Sequence, residues 1–195
     1  NLKDIDTYLI THSHADHVGG LEEAHLLGRY VLKTKPKMVI NETYEKILWE
    51  QSLRGGAELS EETPLDFSDL WDVIRPTKLK DFPRETEEVD IGSLNIKMPR
   101  TMHFPDSARS WQDCAWSCGI ILDNKVFFTS DTRFDQDLLQ CLYKLTGIPC
   151  RRFHCPLGLP LPHCLHTKEH VPPLKISNLH LASILQINKD LDPHL

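Results

Sequence analysis

Residues 5–20 read IDTYLITHSHADHVGG. The first six, Ile5 to Ile10, are apolar and β-branched enough for a buried strand. They run straight into a polar loop, THSHADH, which holds His12, His14, Asp16 and His17 within six positions. Four good metal ligands this close together are not core filler. Neutral imidazole and carboxylate both suit Zn²⁺ and similar borderline ions. In extended backbone, positions two apart point to the same side, so His12, His14 and Asp16 can converge. Where the chain turns into a helix, His17 can swing onto the same face as Asp16. The spacing suggests two neighbouring sites, with His12 and His14 on one metal and Asp16 and His17 on a second.

Around this stretch lies a chain of 195 residues, 40% hydrophobic and 26% charged. That length suits one domain, and that balance is soluble-globular, not disordered, collagenous or coiled-coil. No run approaches 18 apolar residues, so no membrane span or membrane partner is expected. The net charge of −6 disfavours gripping nucleic acid through the global field, and leaves a local basic patch open. The opening residues lack the pattern of a signal peptide, which makes a cytoplasmic setting the expectation. The chain begins at Asn1 and opens almost directly into a strand; it reads as a piece that has lost an N-terminal segment.

Local patterning is consistent over residues 1–137. A short helix is expected within Val18–Tyr30, starting near Gly19-Gly20, and a strand over Lys37–Asn41. A helix over Glu42–Leu53 should be closed by Gly55-Gly56. Residues 57–88 mix Pro, Asp and Glu and read as a long surface excursion. Val89–Met98 alternates in part, as a strand or hairpin does. Cys118–Leu122 and Val126–Ser130, joined by Asp123-Asn124-Lys125, carry a hairpin signal. A helix is expected over Phe134–Leu145. Alternating strands and helices indicate α/β or α+β.

Residues 138–195 differ. They hold 3 of the 28 acidic residues, four of the six Cys, six of the eleven His and seven of the thirteen Pro. The stretch CPLGLPLPHCLHTKEHVPPLK shows neither helical nor strand period. Two readings stay open: a Pro-rich loop leading to a short final helix near LHLASILQI, or sequence out of frame from about residue 138. Cys150, Cys155, Cys164 and His170 could form a small structural zinc site, although their spacing matches no zinc-finger pattern. Cys114 and Cys118 read as buried small hydrophobes.

THSHADHVGGLE resembles the signature of the metallo-β-lactamase-fold hydrolases, His-x-His-x-Asp-His after a buried strand. The resemblance covers roughly residues 5–137. It implies an α/β fold, the αββα metallo-β-lactamase-type sandwich, here truncated at the N-terminus, with residues 138–195 as an irregular tail. It also points to further ligands. His103, in Thr-Met-His-Phe-Pro-Asp-Ser, resembles a loop of the ribonuclease Z-like branch. Asp131, after Val126–Phe128 and Thr129-Ser130, resembles the Asp that bridges both metals. The last His ligand of that family has no clear counterpart; His180 is the nearest candidate among His154, His163, His166, His170 and His180.

The ligand set so implied is His12, His14, Asp16, His17, His103 and Asp131. It would hold two divalent ions, Zn²⁺ first, with Mn²⁺ or Fe as alternatives. Such a site activates water and polarises an electrophile. The expected reaction is hydrolysis by a metal-bound hydroxide, with Asp16 as general base and a small phosphodiester as substrate. Two alternatives accompany it: a diiron oxidoreductase of the same fold, and an inactive truncated remnant. A homodimer is open as a partner state.

Overall fold

The computed structural model describes residues 2–146, 165–167 and 184–188. In chain order the strands are β1 (Ile5–Ile10), β2 (Lys37–Val39), β3 (Asp72–Ile74), β4 (Thr77–Lys78) and β5 (Thr86–Ile91). They continue as β6 (Leu94–Pro99), β7 (Ile120–Leu122), β8 (Val126–Phe128), β9 (Leu165–Thr167) and β10 (Ile184–Asn188). The α-helices are α1 (Ala15–Val18), α2 (Leu21–Leu26), α3 (Glu42–Leu48), α4 (Arg54–Ala57), α5 (Phe67–Leu70) and α6 (Gln136–Thr146). The described residues are mixed α/β with two sheets, and the chain divides into two compact units: residues 1–76 with 180–195, and residues 77–179. No helix among the described residues is long and apolar enough to cross a membrane.

The first unit carries a sheet in the order β10-β1-β2-β3. β1–β2 and β2–β3 are parallel, and β1–β10 is antiparallel. Parallel neighbours need crossovers, and these run through α2 and through α3 to α5. As an inner strand, β1 is buried continuously from Thr7 to Ile10, which is why it reads as an apolar run rather than an alternation. Gly20 starts α2 with φ of 91°, a conformation that costs glycine nothing. The final helix expected near LHLASILQI is corrected here: Ile184–Asn188 is a strand paired with β1. Its Ile-Leu-Gln-Ile pattern serves an edge strand as readily as a helix turn, and the unpaired side of β1 decides between them.

Two further expectations are corrected in this unit. Gly55-Gly56 do not close a helix; both lie inside α4. Arg54 ties this turn together through ion pairs to Glu50 and Glu58, four residues away on either side, and such pairs support a helix. Gly56 also leaves room for Glu22, whose carboxylate would lie 3.0 Å from an added Cβ. Residues 57–88 are not a surface excursion throughout. Asp66 and Asp69 form a reciprocal capping box, and the helical turn it starts directs Phe67, Leu70 and Trp71 inward. Trp71 meets Tyr8 edge-on at 5.5 Å and stacks on Phe67 at 6.3 Å. Aromatic pairs at such distances add stability beyond their buried area.

His25 belongs to the same core. It is fully buried against Trp71, and neither ring nitrogen has a hydrogen-bond partner among the described residues. Burial disfavours the imidazolium and lowers the pKa to about 4. In the unfolded chain the ring takes its proton near pH 6.5. Above pH 6.5 both states are neutral and His25 adds no pH dependence. As pH falls from 6.5 to 4 only the unfolded state gains the proton, so stability drops, by about 3 kcal/mol in total. Denaturant titrations at pH 7 and pH 4 should show this loss in the wild type, and a loss smaller by that amount in His25→Leu. Equal losses in the two proteins would refute the assignment.

The second unit is an antiparallel sheet in the order β4-β5-β6-β7-β8-β9. The hairpin signal at residues 118–130 is realised as β7 and β8. Asp123 and Asn124 have φ of 49° and 54°, and Lys125 N–H donates to Leu122 O at 2.8 Å. Positive φ at both central residues matches the strand twist, and Asp and Asn tolerate it best after glycine. α6 packs Leu138 and Leu142 on Ile121 and Phe127 of this hairpin. The expected helix over Phe134–Leu145 is thus present within two residues, and it carries regular, buried packing past residue 138. His180, the Cys150–His170 group and most of the proline-rich stretch lie outside the described residues. Cys118 is fully buried, which pushes its thiol pKa up. Cys114 is half-buried rather than buried, and both are free thiols.

Candidate metal centre

The chain leaves β1 extended through His14, whose ψ is 148°, and then makes the single turn α1. His17 N–H and Val18 N–H both donate to His14 O, at 2.9 and 3.0 Å. The extended run therefore stops before Asp16, and the expected same-side projection of His12, His14 and Asp16 holds only for the two histidines. The His12 and His14 rings meet edge-on at 4.7 Å, with a ring nitrogen of each within 4.8 Å of the other. His17, buried, lies with its ring 3.9 Å from that of His12. Asp16 is 78% exposed, with its carboxylate 3.3 Å from His17 Nε2.

Two side-chain contacts hold this loop. Thr11 Oγ1 lies 3.2 Å from His12 Nδ1. That contact suits Nδ1–H donating to the hydroxyl, which leaves the Nε2 lone pair for a metal. Ser13 Oγ donates to the Tyr44 hydroxyl at 3.1 Å. Tyr44 is buried in α3, and Asn41 caps that helix by accepting from Tyr44 N–H at 2.7 Å. The helix over Glu42–Leu48 is legible in the sequence; the reach of its tyrosine to Ser13 is not.

Within the second unit, His103 and Asp131 lie near one another. β8 ends at Phe128, and Ser130 adopts a φ of 53° while fully buried. A non-glycine residue in this region costs about 1–3 kcal/mol, and such residues cluster at functional sites. It turns Asp131 off the strand end. His103 sits in a segment without regular structure after β6. Its Nε2 is 3.9 Å from Asp131 Oδ2. That is long for a hydrogen bond and near the separation of two ligands on one ion with bonds of about 2 Å. The donor set of each unit, two imidazoles and an imidazole with a carboxylate, fits Zn²⁺ or a similar divalent ion. The surface cleft bounded by Arg29, Lys33, Lys35 and Glu61 includes none of these residues.

Comparison with known proteins gives the lineage. The family model described as "Anti-Pycsar protein Apyc1" matches residues 1–167. The chain belongs to the Anti-Pycsar protein Apyc1 family. Relatives of that name include one from Bacillus phage vB_BsuM-Goe3, 33% identical over 80% of this chain and 58% of its own length. Another, from Bacillus phage BSP38, is 36% identical over 74% of this chain and 54% of its own length. A third, from Paenibacillus harenae, is 34% identical over 70% and 50%. The chain spans about half the length of the curated relatives it matches.

Membership of the Anti-Pycsar protein Apyc1 family corrects the assignment to metallo-β-lactamase-fold hydrolases and their ribonuclease Z-like branch. The generic phosphodiester hydrolase drawn from that resemblance is corrected with it, as is the diiron alternative of the same fold. A motif of six residues reports donor chemistry, whereas the Apyc1 match runs through 167 residues of context.

Proposed function

We propose that this chain is a metal-dependent hydrolase serving the Anti-Pycsar role for which its relatives are named. The observation that supports it most is the His12–His14 pair, presented where β1 ends, with Thr11 set against His12 Nδ1. Carboxyl ends of strands in such sheets are where ligands bind. Within the first unit His12 and His14 are proposed as ligands of one ion, and Asp16 and His17 as those of a second; within the second unit His103 and Asp131 are proposed as metal ligands. Bound Zn²⁺ would lower the pKa of water and polarise the substrate. Thr11 orients His12, Tyr44 steadies the loop through Ser13, and Asp16, exposed beside His17, is the group placed to accept a proton. The αββα layering expected from the sequence belongs to the same proposal, supported by the helix–sheet packing within each unit. So does a cytoplasmic setting, supported by the free thiols of Cys114, Cys118 and Cys141, since reducing compartments keep thiols free.

The test is an assay of Pycsar activity with purified, Zn²⁺-loaded protein. The wild type is expected to suppress Pycsar, and chelated protein or the double variant His12→Ala, His14→Ala to have lost at least about 100-fold of that effect, since removal of even an outer partner of a ligand costs 10–100-fold. Undiminished suppression by the double variant would mean that the chain works without this site.

A further inference from the structure

We propose that Arg133 is the positioning residue that holds the His103 loop against Asp131. The inference rests on the metal-dependent reading above and deepens it. Residues 101–109 form neither strand nor helix, so no sheet ladder sets the place of His103. Two ties, one on either side of it and both anchored just after Asp131, hold the loop there.

The first tie is at Met102. Arg133 N–H donates to Met102 O at 2.8 Å, and Met102 N–H donates to Thr132 Oγ1 at 3.3 Å. The second tie is the Arg133 side chain. Nη1 donates to Asp106 O at 2.6 Å and Nη2 to Ala108 O at 2.9 Å, with Cys114 Sγ 3.8 Å from Nη2. His103 is thus bracketed between Met102 and Asp106. Other bonds of the loop, such as Ala115 N–H to Phe104 O at 2.7 Å and Thr101 N–H to Ser117 O at 3.0 Å, join it to its own returning limb and not to the segment after Asp131. A guanidinium suits this task because its N–H groups lie in one rigid plane and can meet two carbonyls together. An ammonium is a flexible point charge and cannot reproduce that fork. Neither carbonyl depends on the identity of its side chain, so Arg133 leaves no signature beyond its position two residues after Asp131.

The experiment is a visible-spectrum Co²⁺ titration of the full chain as wild type, Arg133→Lys and Arg133→Ala. Groups that orient metal ligands typically alter metal affinity about 10–100-fold. Both variants are expected to bind Co²⁺ more weakly by a factor in that range, and to show an altered d–d spectrum at saturation, where stability no longer matters. If Arg133→Ala does not fold, Arg133→Lys carries the test. Variants that lose thermal stability yet keep wild-type affinity and spectrum would reduce Arg133 to a structural role and overturn the proposal. A wild type that takes up no Co²⁺ would overturn the metal-dependent reading, and this inference with it. Uptake by the wild type, unchanged in both variants, would overturn this inference alone.

Discussion

Replacing Asp131 with Ala is expected to strip divalent metal from the protein, while Asp106→Ala leaves the metal content at the wild-type level. The two aspartates share a neighbour: Arg133 follows Asp131 by two residues and donates to the Asp106 carbonyl. Their side chains differ in use. Asp131 is turned off the end of β8 by the left-handed Ser130 and faces His103 at 3.9 Å. Asp106 is exposed and contributes its backbone carbonyl to Arg133, a group that alanine retains. An anionic ligand compensates the charge of the cation it holds, and its loss leaves that charge uncompensated. The affinity loss for Asp131→Ala should be at least about 100-fold, because removing even an outer partner of a ligand costs 10–100-fold. Metal content per chain after gel filtration decides the matter. Equal content in the two variants would remove Asp131 from the ligand set.

How far the sequence was legible depended on whether a residue's role was local. The strand Ile5–Ile10 could be read because burial on both faces leaves an unbroken apolar run. The hairpin at Asp123-Asn124 could be read because positive φ restricts the residue types. The histidines of the THSHADH loop could be read because their chemistry is explicit. At Asp16 the alternation does not carry over, because a helical turn starts at Ala15 and ends the extended run after His14. Glycines at 55 and 56 suggest a stop, because the ion pairs of Arg54 are invisible to propensity. Phe67, Leu70 and Trp71 were hidden among acidic residues whose real work is to cap one turn. Tyr44, Arg133 and Arg84 act across the chain on groups 16 to 51 residues away, and no spacing rule reaches that far. Lineage is not legible in the motif for a related reason: six residues specify donors for an ion, and a family is specified by everything that surrounds them.

The largest stability effect is expected at Arg84. Its side chain is 2% exposed and forks onto Asp135, with Nη2 at 2.8 and 3.0 Å from the two carboxylate oxygens. Nη1 donates to Arg100 O at 3.3 Å, and the guanidinium lies over Trp111, 5.5 Å from the ring centroid. Asp135 in turn accepts from Leu138 N–H at 3.0 Å and so caps α6. One arginine therefore joins the segment before β5 to the start of the helix that completes the core of the second unit. Arg84→Ala would leave the Asp135 carboxylate buried beside an empty space, and breaking a buried pair in this way costs about 3–5 kcal/mol. An exposed pair such as Arg54–Glu50 is screened by water and would cost far less. The penalty comes from the stranded charge, so removing it should restore part of the loss. The double variant Arg84→Met, Asp135→Asn keeps a cap for α6 and strands no charge, and it should be more stable than Arg84→Ala. Denaturant titration gives the totals, and amide exchange over Gln136–Thr146 shows whether the loss is felt at α6. A penalty below about 1 kcal/mol, or a double variant no more stable than Arg84→Ala, would mean that water reaches Asp135 and that the pair does not hold the helix.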